Sequence, residues 1–262
     1  MTTTPNKHLR QDRTLDQRMC AIARMSFGIS HDLNNALGAV QSNAGILRNH
    51  LPGDSPLLTN LNHIQHATHH MIDLSHQLQI YTQHQKVALQ SVDLRTLLAE
   101  SIATFRPKLP EHCRLQDQSP RGRLTVETCP LMLENAIMAI LQNALDALQG
   151  LPGTITIETS IGQSRIEDDH ALMLGTLPAT DHVALIEISD TGEGIFPEVL
   201  EHIFEPFFST RLRARGMGLT PVVGLAFHGN AAVRVVSRPH HGTNVQLLLP
   251  IPEHQGLRSS CD

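Results

Sequence analysis

The spacing of the apolar residues changes character once, near residue 90, and that change limits the fold more than any other feature. Upstream of it, Met19, Ile22, Met25, Ile29, Leu33, Leu37, Val40, Ala44, Leu47 and Leu51 recur in steps of three or four, which is the stripe of one face of a long helix. Pro52-Gly53-Asp54-Ser55-Pro56 interrupts it with a turn glycine, a capping serine and a first-turn proline. A second stripe follows through Leu57, Leu61, Ile64, Met71, Leu74, Leu78 and Tyr81, fading around Gln85. Two helices with one stripe each cannot enclose a core. The expectation is an antiparallel helical hairpin over 14–90 that pairs with a second copy into a four-helix bundle, making the protein a homodimer. At about 1.5 Å per residue the first helix would be on the order of 55 Å long, a stalk more than a compact domain.

Downstream, strands and helices alternate. Leu124-Thr125-Val126-Glu127 reads as a short strand and Leu131 to Leu148 as a strongly apolar helix. Thr154 to Thr159, His182 to Ser189, Ala232 to Ser237 and Asn244 to Leu249 read as further strands. The polar stretch of about 161–181 reads as a loop or hairpin extension. Residues 91–252 are thus expected to form an α/β sandwich, with 1–13 disordered and 253–262 a flexible tail.

With 262 residues, 40% of them hydrophobic, the chain has material for two cores. A net charge of -5 offers no basic field for nucleic acid. Cys20, Cys113, Cys129 and Cys261 form no C-x-x-C pair, so they read as reduced thiols rather than a disulfide or zinc framework. No signal peptide or run of about 18 apolar residues appears, so the expectation is a cytoplasmic protein without membrane insertion. There are 17 histidines, so each needs context; His69-His70 and His240-His241 lack partners at ligand spacing and read as surface residues.

His31 lies about 200° around the helix from Ile29, away from the apolar seam, with Asn35 one turn further on the same face and Asp32 adjacent. A polar helix face would explain the three residues taken alone. A neutral imidazole is nonetheless nucleophilic at physiological pH, and a carboxylate bonded to one ring nitrogen leaves the other free to attack phosphorus.

The surrounding Phe27-Gly28-Ile29-Ser30-His31-Asp32-Leu33-Asn34-Asn35 resembles the phospho-acceptor box of two-component sensor histidine kinases, in particular those reading S-H-D-F-N-N. The resemblance implies that His31 accepts a phosphoryl group, that Asp32 hydrogen-bonds its ring, and that Asn35 assists dephosphorylation of a partner aspartate. Leu141-Gln142-Asn143-Ala144-Leu145-Asp146-Ala147 resembles the family's asparagine box, in which Asn143 would offer its side-chain oxygen to Mg²⁺, a hard cation suited to it; Asp146 counts with it among the nucleotide residues. Alone, N-A-x-x-A in a helix is mostly core packing.

Asp190-Thr191-Gly192-Glu193-Gly194-Ile195 resembles the D-x-G-x-G box, where Asp190 accepts a hydrogen bond from the adenine amino group and rejects guanine's carbonyl. A D-T-G turn closing a strand is the bland alternative. Phe204-Glu205-Pro206-Phe207-Phe208-Ser209-Thr210-Arg211 resembles the box that opens the family's ATP lid; Phe207 joins the nucleotide set, and Arg211 has the charge and place to reach a phosphate. Arg215-Gly216-Met217-Gly218-Leu219 is read as opening a helix, with Gly216 and Gly218 matching two lid glycines whose bare backbone can approach phosphates. Thr243 follows His241-Gly242 before the last strand. No G-x-x-x-x-G-K-[ST] occurs, so ATP binding would not come from a P-loop.

The resemblance spans roughly 25–250 and rests on the order of five boxes. It implies a dimeric hairpin plus a Bergerat-type ATP-binding domain, which autophosphorylates His31 from Mg-ATP and passes the group to an aspartate of a response regulator receiver domain. A separate sensory partner, or the short N-terminal segment, would bring the signal. Three positions depart from the pattern: Ala139 where an asparagine is usual, Ala214 for the first lid glycine, and Thr220-Pro221 where small or apolar residues are usual. The first two favour an alternative, a histidine phosphotransferase or response-regulator phosphatase with a decayed ATP domain. The intact Asn143, Asp190 and Phe204 to Phe208 oppose it. A third reading, a Bergerat ATPase driving conformational change, has no use for the His31 face.

Overall fold

The structure, a computed structural model, describes residues 35–53, 55–80, 87–120, 122–163, 172–176, 182–205, 208–210 and 218–252. The chain divides into two compact units, one within residues 17–83 and one that holds the other described residues.

The first unit has a helix over residues 35–50 (α1) and a second, α2, at Leu57–Ile80. The prolines set the break between them. Leu51 N still donates to Leu47 O at 3.1 Å, then Ser55 N turns back to Pro52 O at 3.0 Å, and Ser55 Oγ accepts from Leu57 N at 3.4 Å as the new helix starts. Arg48 Nη1 donates to Asn62 Oδ1 at 3.0 Å and Gln65 Oε1 at 2.9 Å, tying α1 to α2. Between these helices Ala44, Leu61 and Thr68 are buried, while Val40, Ile46, Leu47, Leu57, Ile64 and Met71 stay exposed. Residues 14–34 and 81–86 of the expected hairpin lie outside the described residues.

The second unit starts with β1 (Gln90–Asp93), which pairs antiparallel with β3 (Thr125–Thr128) in a two-stranded sheet. Between them lie α3 (Leu94–Phe105) and β2 (Cys113–Asp117). Asp93 caps α3 by accepting from Arg95 N at 3.0 Å. Then come α4 (Pro130–Ala147), β4 (Gly153–Gln163), β5 (Leu172–Gly175), β6 (His182–Asp190), the short α5 (Pro197–Leu200), α6 (Thr220–His228), β7 (Ala232–Ser237) and β8 (Thr243–Pro250). Six strands form one mixed sheet in the order β2-β4-β6-β8-β7-β5; only the β2-β4 pair is parallel.

The register places Ile155, Ile157 and Thr159 of β4, Ile186 and Ile188 of β6, Leu247 and Leu249 of β8 and Val233 and Val235 of β7 on one face, and all are buried. Leu133, Ala136, Ile137, Ile140, Leu141 and Ala144 of α4, at helical spacing, are buried too, and α4 contacts β4, β6, α3 and α6. This α/β sandwich carries nearly all of the described apolar burial. The alternate face holds a smaller buried cluster, Val183, Ala232 and Leu248 with Met173 and Leu185 packed against it, and beside it a polar patch in which Gln246 donates to Glu187 and Arg234 Nη1 donates to Gln246 Oε1 at 3.2 Å.

Several readings need correction. Of the stretch 161–181, expected as a loop or hairpin extension, residues 161–163 do extend the hairpin of β4 with β6, Gln163 pairing with His182, but Leu172–Gly175 is a strand that crosses to the far edge to pair with β7. Four residues flanked by polar sequence carry too little alternation to read as a strand, and β7 supplies what the segment lacks. β2 escaped for the same reason, and α5 is a single turn. The helix that follows the Arg215 to Leu219 segment starts at Thr220 with Pro221 in its first turn, where the sequence places that proline.

Candidate nucleotide site

The predicted nucleotide residues that the structure describes collect where α4 ends, β6 ends and β8 begins. After Asp190 the chain must leave the sheet and turn under α4. Thr191 N donates to Thr154 O at 3.2 Å, Thr191 Oγ1 accepts from Thr154 N at 3.0 Å, and Glu193 N donates to Ala147 O at 3.1 Å. Gly192 allows this approach, because a Cβ there would lie 2.6 Å from Ala147 O. Its lack of a side chain is thus used by protein backbone, a purpose the sequence reading had not assigned to it.

Gly194 and Gly242 answer each other across the next turn. Both have positive φ, 67° and 78°, and a Cβ on either would collide with backbone, that of Arg238 for Gly194 and that of Asp190 for Gly242. Gln149 Nε2 donates to Glu193, and His240 N donates to Glu193 O at 2.6 Å, so the 190–195 loop is held on both sides.

Asp190 sits at the base of this arrangement. Its Oδ1 accepts from Gly192 N at 2.8 Å, and the Thr243 backbone also bonds the carboxylate. Burial pushes the Asp190 carboxyl above its ordinary 3.8, and the Glu193 charge adds to the rise, while the Gly192 and Thr243 bonds pull it down. A half-buried carboxylate with two backbone donors is held in one orientation, suited to accept one further N–H from a ligand.

Asn143, one turn before Ala147 on α4, is half-buried, and its Oδ1 lies 3.2 Å from where a Cβ of Gly218 would stand. The structure therefore joins two residues taken from different boxes. Asp146 is exposed and accepts from Gln142 Nε2 at 2.8 Å, one turn back on the same helix. Ala139 is half-buried on α4. Asn35 opens the described part of α1 and is exposed. His31, Asp32, Phe207, Arg211, Ala214 and Gly216 lie outside the described residues. Beside the lid box, His202 Nδ1 is 3.0 Å from Glu205 Oε1, and its ring packs on Phe208 with centroids 5.3 Å apart.

Ala147, Gln149, Glu193 and Ser237 build the walls of this site. Ala147 and Glu193 stand in two of the boxes without a role of their own, and Gln149 and Ser237 outside them, because each acts through a backbone or side chain remote in sequence. Among the described residues no helix is long and apolar enough to cross a membrane.

Residues 129–253 match the family described as histidine kinase-, DNA gyrase B- and HSP90-like ATPases. Over 252 residues the chain is 30% identical to the sensor kinase CckA of Brucella abortus (strain 2308), covering 95% of this chain and 26% of CckA. Full-length ShkA, crystallised with AMPPNP, has the same fold with a TM-score of 0.63 at 19% identity, over 87% of this chain and 46% of ShkA. Histidine kinase ThkA in complex with response regulator protein TrrA gives a TM-score of 0.53 at 17% identity, over 97% of this chain and 69% of ThkA. The chain spans about a quarter of the length of CckA and under half of that of ShkA. Residues 129–253 thus match the ATPase domain that histidine kinases share with DNA gyrase B and HSP90, and the chain is similar to sensor kinases, sensor histidine kinases among them.

Proposed function

We propose that this chain is a histidine protein kinase that binds ATP with its C-terminal unit, phosphorylates its own His31, and passes the phosphoryl group to an aspartate of a response regulator receiver domain. The observation that carries the ATP part is the convergence of Asn143, Gly218, Asp190 and Thr243, drawn from four separate sequence segments, on one end of the sandwich. Asp190 would accept from the 6-amino group of adenine, for which its fixed, partly desolvated carboxylate is suited, and it would meet the carbonyl of guanine as one acceptor facing another. A Cβ on Gly218 would stand 3.2 Å from Asn143 Oδ1, so the glycine puts no side chain against that oxygen, which fits the oxygen ligand that Mg²⁺ takes, and Asn143 would hold that ion. Bound there, Mg²⁺ would neutralise phosphate charge.

His31 would supply the nucleophile, with Asp32 fixing its tautomer; Asn35 would position water against an aspartyl phosphate, giving a phosphatase activity toward the same partner. ThkA, whose fold this chain shares, is seen with a response regulator protein, which supports a partner of that class here. The exposed apolar residues of α1 and α2 support a homodimer in which two helical units cover each other. ATP and reduced thiols assign the reaction to the cytoplasm, and a sensory partner or segment would set its rate.

Incubation with γ-labelled ATP and Mg²⁺ tests the reading. Acid-labile, base-stable label is expected on the wild type and none on His31→Gln, with ATP binding intact in the variant. Label that persists in His31→Gln would sink the assignment of the nucleophile, and a wild type that binds no ATP would sink the kinase.

A further inference from the structure

Ser237, the last residue of β7, has its hydroxyl at the centre of three contacts. Ile195 N donates to Ser237 Oγ at 2.9 Å, Ser237 Oγ donates to Gly242 O at 2.9 Å, and Ser237 Oγ and Thr243 Oγ1 stand 2.9 Å apart. A serine hydroxyl has one proton and two lone pairs. The Gly242 carbonyl can only accept, so it takes that proton, and Ile195 N–H occupies one lone pair. The second lone pair is left for the Thr243 hydroxyl, which must therefore be the donor of the third bond. Thr243 is buried, on the strand face that it shares with Asp190, and its backbone bonds the Asp190 carboxylate.

The proton count has a consequence for recognition. With its only hydroxyl proton committed to Ser237, Thr243 offers a ligand or a bridging water lone pairs alone. We propose that Ser237 is a specificity-determining positioning residue: by fixing the Thr243 hydroxyl as an acceptor beside the Asp190 carboxylate, it makes this end of the site favour a purine bearing a 6-amino donor over one bearing a 6-carbonyl. This rests on the adenine-site reading above. Ser237 touches no base itself. It acts through Thr243 and through the 190–195 loop, whose Ile195 amide it holds.

Equilibrium binding of ATP and of ITP, which carries a 6-carbonyl in place of the 6-amino group, tests this on the full chain. Ser237→Ala releases the Thr243 proton to serve a carbonyl, so the preference for ATP over ITP should fall about tenfold, with ITP gaining in absolute affinity. Ser237→Thr, which keeps the hydroxyl, should retain the preference. An unchanged ratio in Ser237→Ala, or equal weakening of both nucleotides there, overturns the proposal; so does loss of preference in Ser237→Thr. Should Ser237→Ala not fold, Thr243→Val decides, since it must lose the preference too. Asp190→Asn run alongside separates the two levels. If it loses the preference while Ser237→Ala keeps it, only the role of Ser237 falls; if the wild type has no preference, the adenine site falls and Ser237 with it.

Discussion

The two units bury their apolar residues to very different degrees. In the C-terminal unit the stripe of α4 meets the inner face of a six-stranded sheet, and Ile137, Leu141, Ile155, Ile157, Ile186 and Leu247 have no or almost no accessible surface. In the helical unit the same kind of stripe leaves Val40 at 44%, Leu47 at 55% and Ile64 at 48% exposed. A sheet and the helices on it make two layers that enclose a core within one chain. Two helices make one layer, and the apolar face that remains asks for another molecule. The unit that encloses its own core holds the proposed nucleotide residues, and the unit that leaves an apolar face exposed holds Asn35, the described end of the proposed phospho-acceptor box.

Core substitutions break this contrast most sharply. Ile137→Ala should cost ~2–5 kcal/mol in denaturant unfolding of the C-terminal transition. Leu47→Ala should cost under ~0.5 kcal/mol if its face meets water, and about 2 kcal/mol with a concentration-dependent midpoint if a second copy covers it. The second outcome is expected, and a concentration-independent midpoint would refute the dimer.

Next in size, Asp190→Asn should weaken ATP binding about 100-fold by equilibrium titration, since an amide has one acceptor oxygen and cannot serve both the backbone donors and the base. Helical content of the α1-α2 unit should not change, and retention of ATP affinity would remove Asp190 from the site.

The same variant has a smaller effect on stability, with a definite sign. Burial raises the native Asp190 carboxyl above 3.8, so the folded state binds this proton more tightly than the unfolded chain. Below the unfolded value both states are protonated and the group is neutral to stability. As pH rises through the raised native value the charge must be borne in a half-buried place, and stability is lost. Asp190→Asn should therefore melt a few degrees above wild type near about pH 7 and level with it near about pH 3. A constant offset at both pH values would contradict this origin.

The smallest effect is expected for Ala139→Asn, which restores a polar group one turn before Asn143. A gain of about threefold in the initial rate of labelling is the expected outcome, and a loss would mean that the site is adapted to the alanine.

How much was legible in the sequence varies by element. α4, β6, β7 and β8 were read nearly to their ends because their patterns run over many residues, long enough for one period to dominate. β2 and β5 were not, because four or five residues next to polar loops take their strand state from β4 and β7. The site divides in the same way. Asp190, Asn143, Gly218 and Thr243 stood in recognisable boxes; the contacts of Ala147 and Glu193, and Ser237 altogether, became visible only in space.

Local pattern alone therefore determined the described helices of the first unit, the break at Pro52 to Pro56 and the long strands, since each depends on residues within a turn or a few alternations of one another. The tertiary structure decided which strand lies beside which, that Gly192 and Gly242 serve close backbone contacts, and which way the hydroxyl of Thr243 must point. These are contacts between residues up to dozens of positions apart in the chain, and their energies exist only once the chain has closed on itself.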